Sequence, residues 1–587
     1  MKKNRSKDSL RSLKRLMRYM GGHKRYLVIS LLLTAVSVAA TVYLPVLIGN
    51  ATDGILSEGN VDFSRVRDCA VRIAVIAVIG GLCNWLSNLC NNQLCFSVVR
   101  DIRVDAYQRI NRLPLSYIDA HPHGDIVSRV ISDADQISDG LLMGLTQLFS
   151  GVLTILGTLL FMFAIHPLIA LVVVLITPLS FFVASFVSRK TYDMFRVRSV
   201  CRGAQVAFVQ EMTEGQRDIR AFGVEERMGS RFHTLNDALR EATLKATFFS
   251  SITNPCTRFV NSVVYAGVCL SGALLSIAGG FTVGNLVSFL SYANQYTKPF
   301  NEITGVITEL QNALACADRV LSFIEDAPTE TERADAKPLT ACDGTFAFSH
   351  VRFGYEADTP ILKDIDFNAM RGQHIAVVGP TGCGKTTLIN LLMRFYEPDS
   401  GGISVAGEPI CSVLRESLRD CCGMVLQETW LSHGTVAENI AFGKPDATRE
   451  EIISAAKAAK AHGFISRLSE GYDTVISDES GTLSEGQRQL ICIARVMLRK
   501  PDILILDEAT SSIDVRTELL VQRALDDLTR GRTSLVVAHR LSTIENADKI
   551  IVLKDGYIFE AGTHRELLAG GGFYRELYMS QFSGKAI

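Results

Sequence analysis

Six long apolar runs in the first half of the chain constrain the fold most. Each has about the 20 residues that a helix needs to cross a bilayer, and they lie near 27–49, 71–95, 141–165, 168–188, 259–279 and 283–305. The first run has no small-residue cleavage site after a short core, so it indicates a membrane anchor and not a signal peptide. The first half of the 587-residue chain is therefore predicted to be a six-helix transmembrane domain.

The distribution of charge predicts how these helices are oriented. Residues 1–26 form a basic arm, which could bind nucleic acid but, directly before a spanning segment, is more typical of a cytoplasmic N-terminus. The net charge of −1 gives no indication of a nucleic-acid partner. Six crossings would return the chain to the cytoplasm, so both termini are predicted to be cytoplasmic in a multi-pass protein of the cell (plasma or inner) membrane.

Two long charged segments, 96–140 and 189–250, separate the spans and show helical periodicity. They are predicted to continue the spanning helices into the cytoplasm, since both are rich in arginine and lysine. Within them, 113–119 and 214–223 are predicted to be short turns at the far tips. Two interpretations are open: these turns are solvated loops, or they dock onto the second half of the chain.

Polar residues recur on one face of the fifth and sixth spans. They are Asn254, Arg258, Asn261 and Tyr265 in the fifth, and Ser288, Ser291, Tyr292, Gln295 and Lys298 in the sixth. Polar groups at membrane depth are costly, so they mark a candidate substrate pathway. The alternative is that they hold helices together or, for Arg258 and Lys298, extend towards the membrane surface.

The second half has the composition of a soluble domain. Short β-rich runs alternate with helical stretches, which predicts an α/β fold with a largely parallel sheet. A polar segment with two prolines precedes it. The predicted organisation is a basic arm at 1–26, a transmembrane domain with intracellular extensions at 27–315, a linker at 316–343 and a nucleotide-binding domain at 344–587.

The nucleotide assignment rests on a glycine-rich loop between an apolar strand and a helix. The loop comprises Gly379, Pro380, Thr381, Gly382, Cys383, Gly384, Lys385, Thr386 and Thr387. Its backbone amides and the helix N-terminus would surround phosphate oxygens, Lys385 would reach the β- and γ-phosphates, and the Thr386 hydroxyl would bind Mg²⁺. A glycine-rich loop is often only a turn, but the full pattern in this setting predicts binding of ATP or GTP.

Cys383 has an unusual position inside this loop. Neighbouring amides, the helix N-terminus and Lys385 all favour a thiolate there. Alkylation is therefore expected to inactivate the protein, and Mg-ATP is expected to protect it.

Two further motifs follow the phosphate loop. The strand-like run 503–506 ends in Asp507 and Glu508, and carboxylates in this position hold Mg²⁺ and position an attacking water. Between the phosphate loop and this strand, the sequence LSEGQ at 483–487 opens a helical pattern.

These motifs, in this order, resemble the ATPase of ABC transporters, and the six preceding spans make the whole chain similar to a bacterial exporter-type half-transporter. The resemblance implies that Glu508 is the general base or polarises the attacking water, that His539 contacts the γ-phosphate, and that Gln427 meets Mg²⁺ and water. It implies that Asp507 holds Mg²⁺ and that Tyr355 stacks on adenine. It also implies that Ser484, Gly486 and Gln487 contact ATP across a dimer interface.

The resemblance further implies that each ATP site is shared between two half-transporters. Glu485 departs from the family pattern because it replaces the first of two glycines, and a carboxylate beside a γ-phosphate adds like-charge repulsion. This asymmetry favours a heterodimer over a homodimer. The alternative is that Glu485 turns its side chain to solvent and that the segment works normally in a homodimer. The predicted function is ATP-driven export of a small or amphipathic, multidrug- or lipid-like substrate. Membrane lipid is expected to surround the transmembrane helices. An importer and a membrane-anchored ATPase that regulates a partner remain alternatives, and six spans exclude a soluble ATPase.

Overall fold

The computed structural model describes residues 2–55, 61–277, 281–356, 359–427, 429–476, 483–507, 514–538 and 544–582. The chain divides into two units. A helical unit comprises Met1–Arg112 and His121–Ala327, and an α/β unit comprises Leu113–Ala120 and Pro328–Ile587.

The helical unit consists of long helices joined by short connections. Its helices, together with the short α4 of the α/β unit, are α1 (Lys2–Gly22), α2 (Lys24–Ile55), α3 (Phe63–Ile110), α4 (Leu115–Asp119), α5 (His123–Ser128), α6 (Ala134–Met143), α7 (Phe149–Ile165), α8 (Pro167–Glu214), α9 (Gln216–Phe222), α10 (Glu225–Ile277) and α11 (Val283–Asp326). Two π-helical turns, Arg129–Asp133 and Gly144–Leu148, join α5, α6 and α7 into one continuous path.

Four helical segments among the described residues are long and apolar enough to cross a membrane. They are Lys24–Ile55, Phe63–Ile110, His123–Ile165 and Arg258–Ile277, and they contain all or most of the first, second, third and fifth predicted runs. The fourth and sixth runs, 168–188 and 283–305, lie within α8 and α11. A membrane domain of apolar helices is thereby established, and the count of six crossings stays a prediction.

Hydrogen bonds join the last turns of α2 to the first turns of α11. The Tyr292 hydroxyl donates to the Val42 carbonyl at 2.7 Å and the Ser288 hydroxyl donates to the Pro45 carbonyl at 2.8 Å. At the start of α11, the Asp53 carboxylate accepts the backbone N–H of Gly284 at 2.7 Å. Ser288 and Tyr292 therefore serve helix packing, which is the second of the two interpretations for the polar stripe.

Three segments are more helical than the sequence pattern predicts. Residues 316–326, placed in the linker by the sequence, continue α11 because Ala317, Val320 and Leu321 follow helical spacing and are fully buried. The two predicted turns contain the short helices α4 and α9. Helix α4 belongs to the α/β unit, where the Tyr396 hydroxyl donates to the Asp119 carboxylate.

Among its described residues, the α/β unit is built on a ten-stranded sheet in the order β5-β4-β1-β2-β12-β11-β3-β10-β9-β6, with a separate pair β7-β8. The strands are β1 (Phe346–Phe353), β2 (Leu362–Ala369), β3 (His374–Val378), β4 (Ser400–Val405), β5 (Glu408–Pro409), β6 (Cys422–Val425), β7 (Gly434–Thr435), β8 (Val475–Ile476), β9 (Ile503–Asp507), β10 (Thr533–Val537), β11 (Lys549–Lys554) and β12 (Tyr557–Gly562).

The helices of this unit are α12 (Lys385–Leu392), α13 (Arg415–Cys421), α14 (Val436–Ala441), α15 (Arg449–Ala458), α16 (His462–Ile465), α17 (Glu485–Arg499), α18 (Val515–Thr529), α19 (His564–Gly570) and α20 (Phe573–Phe582). Several begin with a reciprocal cap, in which a threonine or serine hydroxyl and a glutamate or glutamine side chain satisfy each other's backbone N–H groups. Helices α14, α15, α17 and α19 have this arrangement.

The sheet has a parallel and an antiparallel half. Strands β11, β3, β10, β9 and β6 pair in parallel. Strands β9 and β10 are buried along almost their whole length, as expected for strands covered on both faces. Strands β1, β2, β4 and β5 pair antiparallel. The predicted α/β fold is confirmed, and its parallel character belongs to the half that carries the motifs.

Two of the hydrophobic cores among the described residues of this unit carry α12 and α17. The first core contains β1, β2 and α12, with Phe348, Ile365 and Leu391 fully buried. The second contains α14, α15, α17 and α18, with Ile491 and Val521 at its centre. The phosphate loop therefore rests on one core, and the LSEGQ helix, α17, rests on the other.

Candidate nucleotide site

The phosphate loop connects β3 to α12 with a backbone that requires glycine. Gly384 has φ +100°, and a Cβ atom there would lie 2.5 Å from the Leu362 side chain. A Cβ atom on Gly379 would lie 2.3 Å from the Leu553 carbonyl oxygen. Contacts this short are not tolerated, so only glycine lets the loop approach β11 and β2 while its tip stays open.

The ligand-facing groups of the loop are accessible. Pro380, Thr381, Gly382 and Thr386 are exposed, whereas Thr387 points into the first core. The Lys385 ammonium donates to the carbonyls of Gly379 at 2.8 Å and Pro380 at 2.9 Å. Because an ammonium group binds phosphate oxygens more strongly than neutral carbonyls, this lysine can transfer to an entering nucleotide.

Cys383 does not behave as the sequence suggested. Its side chain is buried under the loop, with 7% of the residue exposed. Burial raises the pKa of the thiol, and the opposing effect of Lys385 is smaller. The predicted reactive thiolate is therefore wrong, because loss of solvent outweighs the nearby positive charge.

Cys383 is now expected to be alkylated slowly, with or without Mg-ATP. Iodoacetamide at pH 7.5 should label it at least about tenfold more slowly than the partly exposed Cys411 of the same unit. Since its pKa lies above the ordinary value of 9.0, the labelling rate should still be rising above pH 9. Peptide mass spectrometry gives both rates, and guanidinium-unfolded protein is the control. Fast labelling that Mg-ATP suppresses would restore the original prediction.

The parallel strands bring the remaining motifs to one edge of the sheet. Strands β3, β10, β9 and β6 are neighbours and run in the same direction. Their carboxyl ends therefore carry, side by side, the phosphate loop after β3, Asp507 at the end of β9, and Gln427 two residues after β6. Gln427 is exposed at this edge. Two of the proposed catalytic residues, Glu508 and His539, lie outside the described residues.

Tyr355 lies beside α12. Its hydroxyl accepts a hydrogen bond from the Asn390 amide at 3.0 Å and makes a longer contact of 3.5 Å with the Thr387 hydroxyl. Its ring meets those of Phe353 and Tyr396 edge-on, each with ring centres 5.0 Å apart. The ring is 45% exposed, so one side remains free for a base. No role for Asn390 is predicted from the sequence, although its position on the second turn of α12, the helix that follows the phosphate loop, could have indicated one.

The LSEGQ residues form the start of α17 and lie on the second core. The Ser484 hydroxyl accepts the Gln487 backbone N–H, and the Gln487 side chain accepts the Ser484 N–H at 3.0 Å. Gly486 is buried and Glu485 is exposed. The Thr429 hydroxyl donates to the Glu485 carboxylate at 2.7 Å, a contact that the sequence does not indicate.

Comparison with known proteins finds a matching family model for each half of the chain. The family model "ABC transporter transmembrane region" matches residues 27–300, and the model "ABC transporter" matches residues 362–511. The chain is 41% identical, over 88% of its length and 82% of the relative, to a fatty acid ABC transporter ATP-binding/permease protein of Mycobacterium bovis. It is 35% identical to an ATP-dependent lipid A-core flippase of Syntrophus aciditrophicus, over 97% of this chain and 94% of the relative.

A solved structure agrees with these relatives. The structure of a bacterial Atm1-family ABC exporter with ATP bound superposes with a TM-score of 0.80 and 28% identity, covering 95% of this chain and 98% of that chain. Both units, the order of motifs and the geometry of the phosphate loop agree with one family. The chain belongs to the ABC transporters, as a half-transporter of the bacterial exporter type in which a membrane domain is fused to an ATPase domain.

Proposed function

We propose that this chain is one subunit of a dimeric exporter of the cell membrane, with both termini in the cytoplasm, and that it moves a small or amphipathic, lipid-like substrate. ATP binding, ATP hydrolysis and export driven by it are properties of the family to which the chain belongs. The proposal adds the arrangement of the ATP site, the class of substrate and the kind of partner.

The residues at the sheet edge fit an Mg²⁺ ion bound together with ATP. Thr386, Gln427 and Asp507 offer hydroxyl, amide and carboxylate oxygens, which are the ligands that Mg²⁺ prefers. The exposed Thr386 hydroxyl and the ends of β6 and β9 lie at the same edge. When bound, the ion would offset negative charge on the phosphates. Asp507 and Gln427 would orient it, and Lys385 would hold the terminal phosphates.

The hydrolytic step is assigned to two residues that follow strands β9 and β10 in the sequence. Glu508 directly follows Asp507, so its carboxylate is the proposed acceptor for the proton of the attacking water. His539 follows the buried strand β10 and Ala538, and is the proposed contact to the γ-phosphate. Across the dimer, Ser484, Gly486 and Gln487 of α17 would face the nucleotide held by the partner's phosphate loop.

The observation that carries the substrate class is a pair of buried amide oxygens in the helical unit. Among the described residues, neither Asn261 Oδ1 on α10 nor Gln295 Oε1 on α11 has a hydrogen-bond partner. Each lies about 20 Å along its helix from the end at which α10 and α11 meet, so the two are at similar depth. An unpaired acceptor at membrane depth is costly, and a substrate with a hydroxyl, amine or amide donor would satisfy it.

The rest of the predicted stripe divides by environment. Arg258 and Tyr265 are exposed, and the side chain of Asn254 lies outside the described residues. Val264, three residues after Asn261, and Tyr296, next to Gln295 in sequence, belong to one buried hydrophobic cluster. A donor group within apolar surroundings matches an amphipathic molecule, and two relatives are named for fatty acid and lipid A-core.

Asn261→Leu and Gln295→Met are expected to alter substrate recognition specifically. Each should reduce substrate stimulation of ATPase about fivefold or more, because an amide acceptor for the substrate is lost, and basal ATPase should stay within twofold. Substrate-stimulated and basal rates are measured on the same reconstituted sample.

Thr158→Val is the matched control for these two variants. Thr158 is also fully buried, but its hydroxyl donates to the Thr154 carbonyl within its own helix. Equal losses of basal and stimulated rates in the Asn261 and Gln295 variants would mean that these residues only support folding.

Flux in vesicles tests the proposed function directly. In inside-out vesicles, ATP-dependent accumulation of a fluorescent fatty acid, a labelled phospholipid or a cationic dye would demonstrate export. Movement in the opposite direction would instead identify an importer. ATPase activity that no amphiphile stimulates, with no flux of any probe, would favour the membrane-anchored regulator.

A further inference from the structure

The contact between Thr429 and Glu485 joins two parts of the ATPase that act on different nucleotides. Thr429 lies two residues after Gln427, in the loop that follows β6, here called the glutamine loop (residues 426–427 and 429–432). Glu485 is the first residue of α17. The Thr429 hydroxyl donates to Glu485 Oε1 at 2.7 Å across 56 residues of sequence.

A second set of contacts fixes the same loop further along α17. Arg495 donates to the Trp430 carbonyl at 3.4 Å and to the Asn439 carbonyl at 3.0 Å. Its guanidinium lies 4.9 Å from the ring centre of Phe442, which meets the Trp430 ring edge-on at 5.6 Å. Arg495 is ten residues from Glu485, or about 15 Å of helix. The glutamine loop is thus held against both the start and the third turn of α17.

The two attachments differ in strength. The Arg495 attachment has several partners and is partly buried, and this burial lowers the pKa of the guanidinium. The Thr429–Glu485 attachment is a single hydrogen bond between exposed groups. Solvent competes for such a hydrogen bond, so the Thr429–Glu485 bond can open and re-form during a catalytic cycle.

We propose that Glu485 is a positioning residue that ties the start of α17 to the glutamine loop of the same subunit and thereby links the two ATP sites of the dimer. The inference rests on the proposed function, in which Gln427 contacts the Mg²⁺ ion of the nucleotide on this subunit's phosphate loop. The start of α17 caps the nucleotide on the partner's phosphate loop. A bond between Thr429 and Glu485 connects these two groups without passing through either nucleotide.

The link is also specific to the residue that departs from the family pattern. A glycine at 485 has no side chain to accept a hydrogen bond, so the Thr429 hydroxyl would lose this partner. The same substitution that places a carboxylate near the partner's phosphate therefore creates an intrachain connection. Communication between sites through such an element is a coupling free energy and can be measured as non-additivity of two mutations.

A double-mutant cycle in the assembled, full-length transporter tests the proposal. Thr429→Val removes the hydroxyl and leaves the Glu485 charge in place. ATPase rate is measured against ATP concentration for the parent, Thr429→Val, Glu485→Gly and the double variant. Thr429→Val should change kcat or the half-saturating ATP concentration about threefold or more in the parent, and less than 1.5-fold when residue 485 is glycine. It should also move the Hill coefficient towards 1.

Two controls separate positioning from folding. Thr429→Ser keeps the hydroxyl and should restore parental values. Thr529→Val removes a hydroxyl that donates to the nearby Asp526 carbonyl and should leave the kinetics unchanged. A variant that merely folds poorly lowers kcat in proportion to active protein and leaves the Hill coefficient and half-saturation unchanged, which would overturn the proposal.

Equal effects of Thr429→Val in both backgrounds would also overturn it. A parental Hill coefficient of 1 would overturn the link between sites. The proposed function is judged separately, from whether the parent hydrolyses ATP and moves an amphiphile.

Discussion

Replacing Glu508 with glutamine is expected to lower ATP turnover about 100-fold or more while nucleotide affinity stays within about threefold of the parent. Glutamine keeps the size and shape of the side chain but cannot accept the proton of the attacking water, and general-base catalysis is worth about 10²–10⁴ in rate. Binding depends on other groups, chiefly Lys385 and the open tip of the phosphate loop. The position of Glu508, directly after Asp507 at the edge that carries the phosphate loop, motivates this role.

The measurement pairs ATPase rates with equilibrium binding of ATP on one purified sample. Glu416→Gln is the matched control, because Glu416 is an exposed glutamate on α13 in the same unit. The assignment of the base would be wrong if the Glu508 variant hydrolysed ATP at nearly the parental rate, or if binding and turnover fell together.

The second large effect concerns the partner. Expressed alone, this chain is expected to show ATPase activity about tenfold or more below that of an assembly with a second half-transporter whose signature is intact. In a homodimer both sites would combine Glu508 with a Glu485-bearing signature, so both would carry the same repulsion between carboxylate and γ-phosphate. In a heterodimer an intact partner signature would face Lys385, Asp507 and Glu508 of this chain and form one competent site.

Glu485→Gly in the assembled pair completes the test. Removing the carboxylate should increase turnover at the weaker site, and this increase is measured with the competent site blocked by this chain's Glu508→Gln. Co-purification and size measurement give the assembly state. Full, transport-coupled activity from this chain alone, unchanged by Glu485→Gly, would establish a homodimer and refute the heterodimer.

The parts of the site that sequence could predict are those that local sequence determines. A strand, a glycine-rich loop and a helix follow one another between Ile375 and Leu392, and the structure reproduces them because Gly379 and Gly384 are the residues that permit the close approaches. Likewise, the order of apolar strands places Asp507 and Gln427 at one edge, since parallel strands end together.

Tertiary packing decided what the sequence could not. Cys383 was expected to be reactive from its neighbours in the chain, yet the surrounding core buries its thiol. The Thr429–Glu485 bond joins residues 56 positions apart, and nothing near either residue indicates the other. The membrane domain predicted from the sequence ends at residue 315, whereas burial of Ala317, Val320 and Leu321 carries α11 on to Asp326.

The division of the chain has a practical consequence for work on the isolated ATPase. Leu113–Ala120 is grouped with Pro328–Ile587, although more than 200 residues separate them in sequence. Its Asp119 accepts the Tyr396 hydroxyl, and Pro114 and Ser116 line a cavity of about 390 Å³ together with Phe395 and Tyr396. A fragment that begins at Pro328 lacks this wall and presents two aromatic rings to water. The solubility and ATPase rate of such a fragment would be those of an incomplete domain. Adding the 113–120 peptide is the simplest way to restore the missing part.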